Sequence, residues 1–103
     1  MRILLVEDDA VLRDVMLRSL SDAGHRVDIA ASTDEARHWW RVQAYDSVLL
    51  DLNLPVTSAA QTNNHQQGNG LAVLREARAR GDRTPVLVLT ARDRLEEIGR
   101  AHV

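Results

Sequence analysis

The chain has 103 residues, of which 45% are hydrophobic and 27% charged, and its net charge is −2 at pH 7; this composition is typical of one soluble domain and excludes a disordered chain or two independent cores. It contains no cysteine, which excludes disulfide frameworks, thiolate zinc sites and cysteine nucleophiles and favours a reducing compartment such as the cytoplasm. The charge balance lacks the basic excess that direct nucleic-acid binding needs, and the first apolar run is too short for a signal peptide or a membrane span.

Short apolar runs alternate along the chain with amphipathic stretches, a pattern typical of strand–helix units that build a parallel sheet. The continuous apolar runs at residues 3–6, 48–50 and 86–89 predict strands that are covered on both faces. A weaker alternating run at residues 27–29 predicts an edge strand.

Two helices are predicted between these strands. Apolar residues recur at spacings of three and four from Leu12 to Ala23, which indicates one face of a helix, and Gly24 can end that helix in the left-handed conformation. A second helix begins at Ser32, which forms a capping box with Glu35. The predicted buried side of this second helix consists of Ala36, Trp39 and Trp40.

The second half of the chain begins with a long polar stretch. Residues 56–69 are biased toward Gln and Asn and have no period, so they predict a loop. Gly70 starts a third helix that stops near Gly81, Pro85 precedes the last strand, and a fourth helix begins after Thr90. No internal repeat or linker divides the chain, so we expect one α/β domain with a doubly wound parallel sheet.

Acidic residues follow two of the predicted strands. Glu7, Asp8 and Asp9 come directly after the first, and Asp51 comes directly after the third. The carboxyl ends of parallel strands share one edge of the sheet, where ligands bind. If the two strands are neighbours, the carboxylates of Glu7, Asp8 and Asp51 converge and require a cation or protons. Their hard oxygens favour Mg²⁺, whereas Asp9 is also well placed to cap the first helix.

A carboxylate beside Mg²⁺ can attack a phosphoryl group and form an acyl phosphate. Thr90 follows the fourth apolar run and would place a hydroxyl at the same edge, where it can bond a phosphoryl oxygen. A threonine at a strand end is more often a local cap.

Four motifs in this order resemble the receiver domain of two-component response regulators, and within it the class joined to winged-helix transcription factors. They are Ile-Leu-Leu-Val-Glu7-Asp8-Asp9, Asp51-Leu-Asn53-Leu-Pro55, Gly70-Leu71 and Thr84-Pro-Val-Leu-Val-Leu-Thr90-Ala91. The resemblance implies a flavodoxin-like fold with strand order 2-1-3-4-5, of which this chain would hold 2-1-3-4. It also implies a signalling module rather than an enzyme, with a sensor histidine kinase as its partner.

The resemblance also assigns roles to individual residues. Asp51 would be the phosphoacceptor, Glu7 and Asp8 the metal-binding acids, and Asn53 a Mg²⁺ ligand through its main-chain carbonyl. Thr90 would supply the hydroxyl that moves on phosphorylation, and Ala91 the small residue that leaves room for the phosphate. DNA would be bound by a further domain of the parent protein. The dimerisation face usual in this class falls largely outside the chain, so no oligomeric state is predicted.

The chain departs from the family pattern in two places. Fourteen residues separate Pro55 from Gly70, about eleven more than the family's short connection, a length that surface loops tolerate. The histidine of this loop, His65, is expected to be solvated. The chain also stops before the family's fifth strand and its essential lysine, and it contains no lysine at all. Residues 97–103 resemble a translated sequencing adapter, so we expect an incomplete receiver domain over residues 1–96.

Two other functions remain open from the sequence. A Mg²⁺-dependent phosphatase would also use an aspartate after an apolar strand, but Asn53 occupies the position of its second acid and cannot protonate a leaving group. An interaction module that never takes phosphate, or an inactive fragment, is compatible with the missing lysine and the long loop. The glycines around Asn69 lack the third glycine of a dinucleotide-binding loop, so nucleotide binding is not expected.

Overall fold

The structure, a computed structural model, describes residues 1–56 and 69–89. Strands and helices alternate along these residues. In chain order they are β1 (Arg2–Val6), α1 (Ala10–Asp22), β2 (Arg26–Ala30), α2 (Thr33–Val42), β3 (Ser47–Asp51), α3 (Gly70–Ala79) and β4 (Val86–Leu89). None of the helices described is long and apolar enough to cross a bilayer.

The four strands form one parallel sheet in the order β2-β1-β3-β4. This order confirms the predicted architecture, including the edge position of the strand at residues 27–29. Because β1 and β3 are neighbours, Val6 pairs with Leu50, and the ends of these two strands lie side by side.

The side chains of β1 alternate between the two faces of the sheet. Leu4 and Val6 are fully buried on the face that α2 and α3 cover. Ile3 and Leu5 are buried on the opposite face. The core cluster on the α2–α3 face contains Leu4, Val6, Ala30, Ala36, Trp40, Tyr45, Val48, Leu50, Leu54, Val73 and Ala77.

The start of α2 matches its predicted cap. The Glu35 amide donates to Ser32 Oγ at 3.2 Å, and Glu35 Oε1 accepts from the Ala31 amide at 3.0 Å. On the predicted buried side, Trp40 is 3% exposed, and Trp39 is partly buried against the core. The capping box therefore exists, and its glutamate satisfies an amide just before the helix.

Helix α1 is present as predicted and is followed by Gly24 at a φ of 92°, but its apolar face is only partly buried. Leu12 and Val15 are 46% and 55% exposed, and no residue of α1 is fully buried. The main contact of α1 is with the edge strand β2. Since the described elements leave much of this helix exposed, its apolar period alone did not determine its burial.

Candidate functional site

Acidic residues stand at the carboxyl ends of two neighbouring strands. Glu7 is the residue after β1, and Asp51 is the last residue of β3. Val6 pairs with Leu50 on the neighbouring parallel strand. Glu7 and Asp51 each come directly after one of these paired residues, so the two acids lie side by side. The Glu7 amide also donates to the Ala30 carbonyl at 3.0 Å, which fixes Glu7 at the edge of the sheet.

Asp8 completes a group of three carboxylates. One oxygen from each of Glu7, Asp8 and Asp51 lies within 4.8 Å of the other two. Glu7 and Asp51 are 4% and 7% exposed, whereas Asp8 is exposed. The structure thus brings together the three acids that the sequence places at strand ends, with one side open to solvent.

Backbone amides orient the two buried carboxylates. The Asp9 amide donates to Glu7 Oε2, and the Asn53 amide donates to Asp51 Oδ1, both at 3.0 Å. Asp9 Oδ1 itself accepts from two amides in the first turn of α1, at 2.9 and 3.1 Å. The Asp9 side chain is therefore the N-cap of α1, and only its main chain serves the acidic group.

Burial shifts the titration of both buried acids. The pKa of Glu7 is raised from 4.5 to about 7, chiefly by loss of hydration and also by the nearby Asp51, against the opposing effect of the Asp9 amide. Burial also raises the pKa of Asp51, with a smaller contribution from Asp8. Within residues 1–56 and 69–89, no arginine or histidine forms an ion pair with these three acids. The group therefore holds negative charge that no described side chain neutralises.

This charge predicts a pH dependence of stability. An acid whose pKa is raised by folding contributes stability that is fully present below its unfolded pKa and is lost as the pH rises through its folded pKa. Without a cation, we therefore expect the free energy of unfolding to fall between about pH 4.5 and pH 7, the range set by Glu7, by on the order of 3 kcal/mol. Urea unfolding at several pH values measures this loss.

Two comparisons isolate the contribution of Glu7 to that loss. Glu7→Gln removes the titrating group, so its stability should change less over the same pH range. Saturating Mg²⁺ should abolish the fall in the wild type, because a bound cation favours both ionised carboxylates. The same slope in the wild type and in Glu7→Gln would show that another group is responsible.

The donor set fits a hard divalent cation. Carboxylate oxygens are the ligands that Mg²⁺ prefers, and Mg²⁺ commonly keeps several waters and uses few protein ligands. The open side at Asp8 leaves room for those waters. A cation there would also remove the cost of keeping Glu7 and Asp51 ionised in a buried place, so these residues suit Mg²⁺ well.

Several predicted features lie outside the described residues. They are Thr90, Ala91, His65, the helix expected after Thr90, and residues 97–103. Of the proposed metal ligands, Asn53 is described and half-buried, and its amide contacts the Asp51 carboxylate.

Gly70 supports the site in a way that the sequence analysis did not assign. Its amide donates to the Leu52 carbonyl at 3.2 Å. A Cβ atom at Gly70 would overlap the Asp51 carbonyl oxygen and would lie 3.0 Å from the Leu52 Cα. The start of α3 therefore packs directly on the backbone of Asp51, and only glycine fits without a shift. A glycine directly after the helix-capping Asn69 is a possible sequence indication of this contact.

Comparison with known proteins is consistent with this geometry. Over 97 residues the chain is 41% identical to the transcriptional regulatory protein QseB of Escherichia coli O157:H7 and 38% identical to the response regulator MprA of Mycobacterium avium. Each match covers 94% of this chain and 39% or 38% of the relative. The chain thus spans about two fifths of the length of these relatives.

Solved structures show the same fold. The receiver domain of the sensor histidine kinase PA1611 from Pseudomonas aeruginosa, which has a magnesium ion in its active-site cleft, matches with a TM-score of 0.73 and 35% identity. The match covers 88% of this chain and 67% of that one.

Residues 3–102 match the family model of the response regulator receiver domain. Such domains are signalling modules rather than enzymes, and this chain belongs to their family.

Proposed function

We propose that this chain is a phosphoacceptor, in which Asp51 takes a phosphoryl group from a sensor histidine kinase with Mg²⁺ as cofactor. The observation that carries the proposal is the buried Asp51 carboxylate, which has oxygens of Glu7 and Asp8 within 4.8 Å. This group lies at the carboxyl edge of β1 and β3, where parallel α/β sheets bind their ligands. Membership of the receiver family supports the same assignment.

Four residues would hold the metal. The carboxylates of Glu7, Asp8 and Asp51 and the main-chain carbonyl of Asn53 provide only oxygen ligands, as Mg²⁺ prefers. When bound, the metal neutralises negative charge on the phosphoryl oxygens. The exposure of Asp8 supports this assignment because a phosphodonor must reach the same place from solvent.

The proposed transfer is a single displacement. An oxygen of the Asp51 carboxylate attacks phosphorus, and a P–O bond forms as the P–N bond to the kinase imidazole breaks. The imidazole nitrogen keeps the electron pair and is then free to take a proton from solvent, which leaves an acyl phosphate on Asp51. The Asn53 amide holds the carboxylate in place through Oδ1. Thr90 would bond a phosphoryl oxygen, which the pairing of the preceding Leu89 with Asp51 supports.

We also propose that the chain belongs to a longer cytoplasmic transcription regulator. The QseB relative is a transcriptional regulatory protein, and the chain covers 39% of its length. In this proposal DNA is bound by another part of the parent protein, since the net charge of −2 does not suit binding to phosphates.

Mg²⁺ titration by calorimetry tests the metal site. We expect saturable binding to the wild type, and Asp8→Asn should weaken it by roughly tenfold or more because one anionic ligand is lost. Asp14→Asn is the matched control, because Asp14 is an exposed aspartate of α1 that pairs with Arg18; it should bind as the wild type does. No binding by the wild type would favour an interaction module, whereas turnover of a phosphomonoester would favour a phosphatase.

A further inference from the structure

The backbone that follows Asp51 is held at several points before residue 57. At its start, the Gly70 amide donates to the Leu52 carbonyl at 3.2 Å. In its middle, the Leu54 side chain is 1% exposed and belongs to the core. We call residues 52–56 the site loop, because this segment contains Asn53 and leads from Asp51 to the twelve residues 57–68.

The first turn of α2 binds the far end of the site loop. The Thr33 amide donates to the Pro55 carbonyl and the Asp34 amide to the Val56 carbonyl, both at 3.0 Å. The Thr33 hydroxyl also donates to the Val56 carbonyl, at 3.2 Å. The first amides of a helix have no partner within the helix, so α2 uses two of them, together with a hydroxyl, to hold a distant segment.

Thr33 is buried, although it lies in the first turn of a helix. It is 1% exposed, and a buried hydroxyl is costly unless it is hydrogen-bonded. Its hydroxyl donates to the Val56 carbonyl, the last described carbonyl before residue 57. The N-cap of α2 is a different residue, Ser32, so Thr33 is not needed for that task.

We infer that Thr33 is a positioning residue, which fixes the end of the site loop at Val56 and thereby holds Asn53 in place. Only Leu54 and Pro55 separate Asn53 from Val56. A displacement of Val56 would therefore reach the Asn53 amide, which orients Asp51. The expected effect of Thr33 on Mg²⁺ binding rests on the proposed function, because it assumes that the Asn53 carbonyl is a metal ligand. The effect on the position of Asn53 does not.

Amide hydrogen exchange, followed by NMR without metal, tests this inference in Thr33→Val and Thr33→Ser. Valine keeps the branched shape and loses the hydroxyl, so the Asn53 amide should exchange roughly fivefold faster, as expected for one lost hydrogen bond. Serine keeps the hydroxyl and should restore most of the protection. The Leu5 amide in the centre of the sheet is the internal reference, because general destabilisation would raise exchange at both amides.

The outcomes separate this inference from the proposed function. Unchanged exchange at Asn53 in Thr33→Val, or equal increases at Asn53 and Leu5, would overturn the positioning role whether or not the chain binds metal. In a parallel calorimetric titration, Thr33→Val should bind Mg²⁺ roughly threefold or more weakly if the site loop carries a ligand. Failure of the wild type to bind Mg²⁺ would count against the proposed function and leave the exchange result to decide the role of Thr33.

Discussion

Acetyl phosphate and Mg²⁺ are expected to add one phosphoryl group to the chain, and Asp51→Asn is expected to abolish the addition. The Asp51 carboxylate is the proposed nucleophile, and a P–O bond to it forms as acetate leaves with its electron pair. Asparagine keeps the size of the side chain but replaces the nucleophilic oxygen by an amide. Intact-mass spectrometry measures the gain, and chelation of Mg²⁺ should also prevent it.

Asp14→Asn provides the matched control, because it removes an aspartate from the surface of α1 without touching the acidic group. It should gain one phosphoryl group as the wild type does. A gain in Asp51→Asn would place the phosphate elsewhere, and no gain in the wild type would contradict the proposal. The chain contains no lysine to pair with the phosphoryl group as the family resemblance implies, so the reaction is expected to be slow.

The acidic group could be predicted because its position depends only on the sequence of each strand and the residue that follows it. Apolar runs predict β1 and β3, and an acid directly after each run lies at the carboxyl edge whatever the rest of the fold does. The approach of Glu7 to Asp51 then needs only that the two strands be neighbours. The raised pKa of Glu7 is a further consequence of burial at that edge.

Other features depend on contacts between distant segments and could not be predicted in the same way. The spacing of Leu12 and Val15 indicates a helix, but their exposure depends on what covers α1. Thr33 follows a predicted N-cap, and nothing in its neighbourhood in the sequence indicates a hydrogen bond to Val56. Gly70 was correctly placed at the start of a helix, whereas its approach to Asp51 depends on how α3 returns to the sheet.

Gly70→Ala is expected to lower the free energy of unfolding by about 3 kcal/mol, as overpacking of a tight contact does. The new Cβ would overlap the Asp51 carbonyl oxygen and press on the Leu52 Cα. Both are backbone atoms that cannot rotate away, so either α3 or the end of β3 must move. In an unobstructed helix the same change would instead stabilise by about 0.5–1 kcal/mol, so the sign of the effect identifies the contact.

Gly24→Ala serves as the control, because its Cβ would meet nothing within 4 Å and only its φ of +92° opposes the change. It should cost about 1 kcal/mol and leave Mg²⁺ affinity unchanged, since Gly24 lies beyond the far end of α1. Gly70→Ala should weaken Mg²⁺ binding as well as folding, because the backbone that it displaces carries Asp51. Urea unfolding and calorimetric titration of the two variants measure these effects. An increase in stability in Gly70→Ala would show that α3 does not pack on the backbone of β3 as closely as the structure describes.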